Sequence, residues 1–260
     1  MKNIPMAEAS VPLGSVDEDS PGSHRAPFQN ASVEKSRDLT VPIYLEETYW
    51  WAYLHPKGIK FFERQWLVNL ILWGNFAKLR DAALAEMGNS VTGRILQVAC
   101  VYGDFTPKMA QRLSGEGRLD VVDVATVQLE NLKRKIKDLP NVHLHHQDST
   151  HMEFADGTFD DVVVFFLLHE QPAGARAKTV EEAIRVTRPG GRVIFVDYHR
   201  PHWASPFRYI MLPILSTLEP FALDMWRKEI TEWIPKSIGL KQVHKETFFG
   251  GLYQKVIITR

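Results

Sequence analysis

The stretch LQVACVYGDF, residues 96–105, joins an apolar, strand-like run to a helix-like one. A turn at such a junction can bring backbone N–H groups up to a nucleotide, and it normally needs glycines to do so. Only Gly103 is there. Asp123 follows twenty residues past Gly103, at the end of the run LDVVD, a separation that lets a carboxylate on the neighbouring strand grip a ribose. Asp148 closes a third such run, in HHQDST. The chain therefore offers a carboxylate spaced to hold a ribose, beside a turn short of the residues that usually build it.

The elements that must position these groups follow from the period of the apolar residues. Short β-rich runs at 94–99, 118–122, 142–146, 160–167 and 192–196 alternate with helical stretches at 108–113, 127–139 and 177–186. That alternation predicts an α/β fold, a mostly parallel sheet with helices on both faces and ligands beyond the carboxyl ends of the strands. Segments 241–249 and 253–259, split by Gly250-Gly251, predict a closing antiparallel hairpin. Upstream, residues 44–55 are dense in aromatics, and a helical pattern runs from 59 to 87 with Gly88 as its stop. Residues 1–40 are rich in Ser, Pro, Gly and Ala and predict a disordered tail. The rest, 41–260, predicts one catalytic domain, with 41–87 a helical cap and 88–260 the core.

Composition narrows the function. The 260 residues are 45% hydrophobic and 24% charged, an ordinary globular balance, and 31 basic residues equal 31 acidic ones. No global field draws the chain to nucleic acid. The single cysteine, Cys100, excludes an intrachain disulfide framework and any multi-cysteine zinc site. The N-terminus lacks a secretory or mitochondrial pattern, which predicts a cytoplasmic protein, and no apolar run reaches the roughly 20 residues that span a bilayer.

The landmarks in this order resemble the class I S-adenosylmethionine-dependent methyltransferases, a Rossmann-like family, over residues 88–260. The resemblance implies that the turn Gln97, Ala99, Val101, Tyr102 and Gly103 faces the methionine end of S-adenosylmethionine. By the same resemblance Asp123 and Val124 meet the ribose, and Asp148 and Ser149 the adenine. The family's acidic residue is replaced by Gln97, its first glycine by Ala99 and its second by Val101. Gln97 cannot hold the cofactor's ammonium group as a carboxylate would, and a β-branched Val101 disfavours positive φ. The turn is expected to follow another path, or to hold the aminobutyrate group elsewhere.

The aromatic stretch YLEETYWWAYLHPKGIKFFERQWLVNLILWGNFAKLRDAAL, residues 44–84, together with VACVYGD, resembles the rhodoquinone biosynthesis family. That resemblance implies replacement of a ubiquinone ring methoxy group by an amino group, with S-adenosylmethionine as amino donor and manganese(II) required. Tyr102 and His169 are then the candidate catalytic residues. The candidate metal ligands are Asp148, His169, Glu170, Asp197 and His199, the oxygen and imidazole donors that manganese prefers. Tyr102 could position either ligand, donate to the quinone carbonyl, or simply pack. Two other functions remain open: methyl transfer in quinone or small-molecule biosynthesis, and an inert methyltransferase-like lipid-binding protein.

Ubiquinone is very apolar, which implies a peripheral contact with the membrane that holds it. Phe62, Trp66, Leu70 and Trp73 recur at helical spacing, and the segment RYIMLPILSTLEPFALDMW is apolar and broken by proline. Either could rest on a bilayer or close over the quinone, or be core. Nothing in the sequence fixes an oligomeric state.

Overall fold

The computed structural model describes residues 33–35, 39–236 and 238–260. The strands are β1 Val33–Lys35, β2 Arg94–Val98, β3 Arg118–Asp123, β4 Val142–His146, β5 Phe159–Phe165, β6 Thr187–Tyr198, β7 Gln242–Phe248 and β8 Tyr253–Thr259. They form one sheet in the order β1-β4-β3-β2-β5-β6-β8-β7. Strands β1 to β6 pair in parallel, while β8 runs antiparallel to both β6 and β7. The central strands are buried along nearly their whole length, which is why they read as continuous Val/Ile/Leu runs rather than alternating ones. The closing hairpin turns at Gly250 and Gly251, both at positive φ (63° and 85°).

Among the described residues eight helices accompany the sheet: α1 Ile43–Thr48, α2 Pro56–Phe62, α3 Gln65–Ile71, α4 Phe76–Glu86, α5 Phe105–Ala110, α6 Thr126–Lys135, α7 Ala173–Val186 and α8 Pro206–Leu218. A π-helical turn, Trp50–Leu54, links α1 to α2. The chain crosses from one side of the sheet to the other at β2, with β3 and β4 to its one side and β5 and β6 to its other. Such a switch point opens a crevice beyond the strand's carboxyl end, and there the turn 99–103 begins.

The structure departs from the sequence pattern in three places. The single helix expected over 59–87 is three helices. Trp73 and Gly74 take positive φ (53° and 76°), and the buried Asn75 amide donates to the carbonyls of Leu72 (3.1 Å) and Trp73 (2.9 Å), closing α3 where the apolar period alone would continue it. Second, α8 runs through Pro213 rather than breaking there, and the hydroxyls of Ser216 and Thr217 donate to the Pro213 carbonyl at 3.0 and 2.9 Å. Third, within the expected tail, Val33–Lys35 is an edge strand beside β4, while residues 1–32 and 36–38 lie outside the described residues. Gly88 does stop α4, at φ 77°.

One buried cation ties the loops above the sheet. Arg176 of α7 is wholly buried and donates to the carbonyls of Leu168 (2.7 Å), Gln171 (2.7 Å) and Phe221 (2.8 Å). It joins the short turn Leu168–Glu170, which follows β5, to the turn Ala222–Trp226, which follows α8. Among the described residues no helix is long and apolar enough to cross a membrane.

Candidate active site

The missing glycines have a local answer. Ala99 adopts φ 69°, the left-handed conformation that a first glycine would take, and Gly103 adopts φ 78°. Val101 stays out of that region, so the turn keeps the glycine path at its first position and changes only at the second. Holding a non-glycine residue there costs about 1–2 kcal/mol. Gln97 helps to fix it: wholly buried, its amide N–H donates to the Ala99 carbonyl (2.9 Å) and its amide oxygen accepts from the Thr106 hydroxyl (2.8 Å). Both ends of the side chain are engaged inside the core, and Gln97 is not part of the cavity lining.

Tyr102 is clamped by the cap. Its ring stacks on Tyr53 (centroids 5.7 Å apart, planes 8° apart) and on Phe62 (6.0 Å, 25°). Its hydroxyl donates to the Ala52 carbonyl (2.7 Å) and accepts from Gln128 of α6 (2.8 Å). Burial pushes the phenol above its usual range, and with donor and acceptor both engaged it is a latch rather than an acid. Glu63, at the end of α2, completes the attachment. It accepts from the Gly103 N–H (3.2 Å) and Asn131 (2.7 Å) and pairs with Lys135 at 2.6 Å. Gly103 takes φ 78°, which favours glycine, and a Cβ there would also push against the end of the Gln65 side chain at 2.6 Å.

Beneath this turn one cavity runs from the tips of β3 and β4 to the loop after β5. Asp123 and Val124 line it on one side; Asp123 accepts from the N–H groups of Cys100 (2.7 Å) and Ala125 (2.8 Å), and burial raises its pKa against the pull of those donors. Asp148 and Ser149 line the same end. Asp148 caps its own turn through the Thr150 N–H (2.8 Å), and Ser149 is fixed by Thr179 (3.0 Å) and Gln171 (3.1 Å). His145 and His146 belong to β4: His145 meets the buried Asp120 at 2.6 Å, and His146 the Val124 carbonyl at 3.0 Å.

At the other end lies an acid–base centre. His169 Nδ1 meets Asp197 Oδ1 at 2.9 Å, while Asp197 also accepts from the N–H groups of Leu168 (2.9 Å), His169 (3.3 Å) and Tyr198 (2.7 Å). The opposite ring nitrogen, Nε2, lies 3.8 Å from Glu170, which in turn accepts from the Tyr53 hydroxyl. Burial opposes charge on His169, but Asp197, Glu219 and Glu170 outweigh it and push the imidazole up to about 9. Burial lifts Glu170 to about 8, with Glu219 and Asp197 adding to the rise against His169 and the Tyr53 bond. Near neutral pH the centre then holds an imidazolium and a protonated Glu170 beside Asp197. It can donate a proton to a ligand carbonyl from Nε2 or take one back.

Glu219, Tyr53 and Tyr49 belong to this region as well and were not singled out in the sequence. The signal for Glu219 was faint: an acid closing an apolar helix.

The five candidate metal ligands do not converge. His199 sits away from the cavity, bonded to the Gly251 carbonyl (2.7 Å) and Lys245 (2.9 Å), and Asp148 lines the cavity at its β3–β4 end. His169, Glu170 and Asp197 are neighbours, yet Asp197 already accepts four N–H donors. Among the described residues no group of three or more His, Cys, Asp or Glu side chains is arranged to hold a metal ion. The donor set thus does not fit the manganese expected from the resemblance.

A methyltransferase-domain profile matches residues 95–191, which contain the turn, Asp123, Asp148 and the acid–base loop. A demethylmenaquinone methyltransferase of Staphylococcus aureus (strain MRSA252) is 30% identical over 178 residues, 66% of this chain and 70% of that protein. The Staphylococcus saprophyticus protein of the same name is 27% identical over 195 residues, 72% and 82% of the two chains. Among solved structures, a Haemonchus contortus phosphoethanolamine N-methyltransferase in complex with S-adenosylmethionine superposes with a TM-score of 0.62 at 15% identity, over 85% of this chain and 60% of that one. A protein of Bordetella parapertussis gives 0.56 at 13%, over 70% and 66%. These two likenesses establish the fold.

Two outcomes test the site. Ala99→Gly relieves the left-handed strain at the cost of a more flexible unfolded chain, for a net gain of about 0.5–1 kcal/mol in urea unfolding; a loss of stability would contradict the strained turn. Stability also depends on pH through the acid–base centre. His169 holds a proton in the folded state that the unfolded ring, at 6.5, releases earlier; its contribution is complete below 6.5 and lost as pH rises through about 9. Glu170, raised from 4.5 to about 8, is likewise protonated on folding, so stability falls again as pH rises through that window. Unfolding followed from pH 6 to pH 9 should show a decline that Glu170→Gln makes shallower, and an identical slope in the variant would contradict the assignment.

Proposed function

This chain belongs to the family of class I S-adenosylmethionine-dependent methyltransferases, and from that premise we propose that it modifies the ring of an isoprenoid quinone by amino transfer, converting ubiquinone to rhodoquinone. The observation that carries the reading is Gln97, whose amide is closed on Thr106 and on the Ala99 carbonyl. A methyltransferase presents a sulfonium methyl group and can lock the amine of its cofactor against a carboxylate. An amino donor needs that amine neutral and unpaired, and a carboxylate beside it would favour its protonated form. No carboxylate stands at position 97.

When bound, S-adenosylmethionine would supply the amino nitrogen: its amine would take the place of the ring methoxy group, which leaves as methanol, and elimination across the cofactor's α and β carbons would then break the carbon–nitrogen bond, leaving the amino group on the ring and an unsaturated carbon skeleton. The chain's own residues supply the rest. Asp123 and Asp148 hold the nucleoside at the tips of β3 and β4. His169, oriented and kept charged by Asp197, donates from Nε2 to the quinone carbonyl oxygen as negative charge builds there. Glu170, within reach of His169 and Tyr53, receives and returns protons during the exchange of amine for methoxy. Stabilisation of the carbonyl oxygen, the task manganese would have as a Lewis acid, is thereby assigned to the imidazolium, and no step is routed through a metal.

Methyl transfer to a quinone ring is the second reading, favoured by the names of the 30%-identical relatives. The same acid–base centre would serve it. Isotopes separate the two. The protein is incubated with short-chain ubiquinone or demethylmenaquinone and with S-adenosylmethionine labelled either in the amine or in the methyl group. Amino transfer predicts an aminoquinone carrying the nitrogen label, and a ring that gains the methyl label instead would contradict it. His169→Asn should lower turnover by about 100-fold or more while nucleoside binding, measured by calorimetry, is retained.

A further inference from the structure

Helix α8 presents an outer surface unlike that of an ordinary surface helix. Its sequence, PFRYIMLPILSTL, contains no Lys, Asp or Glu, and Met211 and Leu215 are its buried residues. Tyr209 (62% exposed), Leu212 (48%) and Leu218 (55%) face outward. An amphipathic helix on a soluble protein places charge there. Helix α3 does the same, with Trp66 58% and Leu70 66% exposed. Trp73, just past α3, packs against Phe207 of α8 at 6.0 Å between ring centroids, so the two outer faces adjoin.

Two further observations indicate what covers this face. Residues 64–80 and 199–218 contain no Asp or Glu, although the whole chain has as many acids as bases; Arg64, Arg200 and Arg208 lie in these segments. The face also continues into the cavity, because Ile71 is both 43% exposed and part of the cavity lining. A contiguous apolar surface with tryptophan and tyrosine along it and cations beside it matches the chemistry of a phospholipid interface.

We propose that the outer faces of α3 and α8 dock on an anionic phospholipid bilayer, with the cavity mouth turned to the lipid. The docking follows from the surface itself; that the mouth admits a quinone from the acyl layer rests on the function proposed above.

The test is vesicle flotation of the full chain without quinone, so its result does not depend on the reaction. Vesicles of phosphatidylcholine are compared with vesicles that also contain phosphatidylglycerol, and quenching of tryptophan emission by brominated acyl chains reports insertion. The protein should float with both, more strongly with phosphatidylglycerol, and salt should weaken that difference. The double variant Leu212→Glu, Leu218→Glu alters two outward side chains; it should bind about tenfold or more weakly while its affinity for S-adenosylmethionine stays unchanged. Failure of the wild type to bind either vesicle would overturn the proposal, as would a folded variant that binds equally well. A wild-type dimer that the variant dissolves in sedimentation would assign the face to a second copy of the chain and overturn it too.

Discussion

The stack of Tyr53 on Tyr102 is the contact on which the rest of the site depends. Tyr102 stands between Val101 and Gly103 and sends an aromatic ring from the turn into the cap. The cap exists in its observed position because that ring gives it something to pack on, between Tyr53 and Phe62. An aromatic pair of this kind is worth about 0.5–1.5 kcal/mol beyond its burial, and the bonds from the Tyr102 hydroxyl to the Ala52 carbonyl and from the Gly103 N–H to the Glu63 carboxylate fix its register.

From there the constraint passes to the chemistry. Tyr53 uses its ring on Tyr102, its carbonyl on Gln128 and its hydroxyl on Glu170. One residue of the cap thereby stands between the end of the cavity at the tips of β3 and β4 and its acid–base end. Below it, Arg176 and Asp197 hold the loop of His169 by backbone contacts rather than by side-chain packing alone. A buried centre with one imidazole among three carboxyl groups is tolerable because Glu170 and Glu219 both rise in pKa and Asp197 is matched by N–H donors.

The sheet was legible in the sequence because buried parallel strands write long apolar runs between helices, and the acidic tips Asp123 and Asp148 fell where such strands end. The cap was legible only in composition. Its helical period ran through Trp73 and Gly74 without a break, since what ends α3 there is the side chain of Asn75 bonding backwards, a contact no period records. Ala99 shows the same limit from the other side: its type argued for a changed path, while the Gln97 and Thr106 contacts that steady the glycine path come from burial. The five candidate metal ligands did not gather as one set: His169, Glu170 and Asp197 meet after β5 and β6, while Asp148 stays beside β4 and His199 is drawn to the hairpin. Glu219 entered the site from a helix with no chemical motif at all.

Backbone hydrogen exchange in Tyr102→Ala measures the central dependence most directly, because it reads the cap and the core separately in one experiment. Loss of the latch should expose the amides of Ala52, Tyr53 and Ile59, which close the cap's turns, while those of Leu96 to Val98 in β2 keep their protection. If the cap amides exchange as slowly in the variant as in the wild type, the cap is held by other contacts and the altered turn does not organise the site.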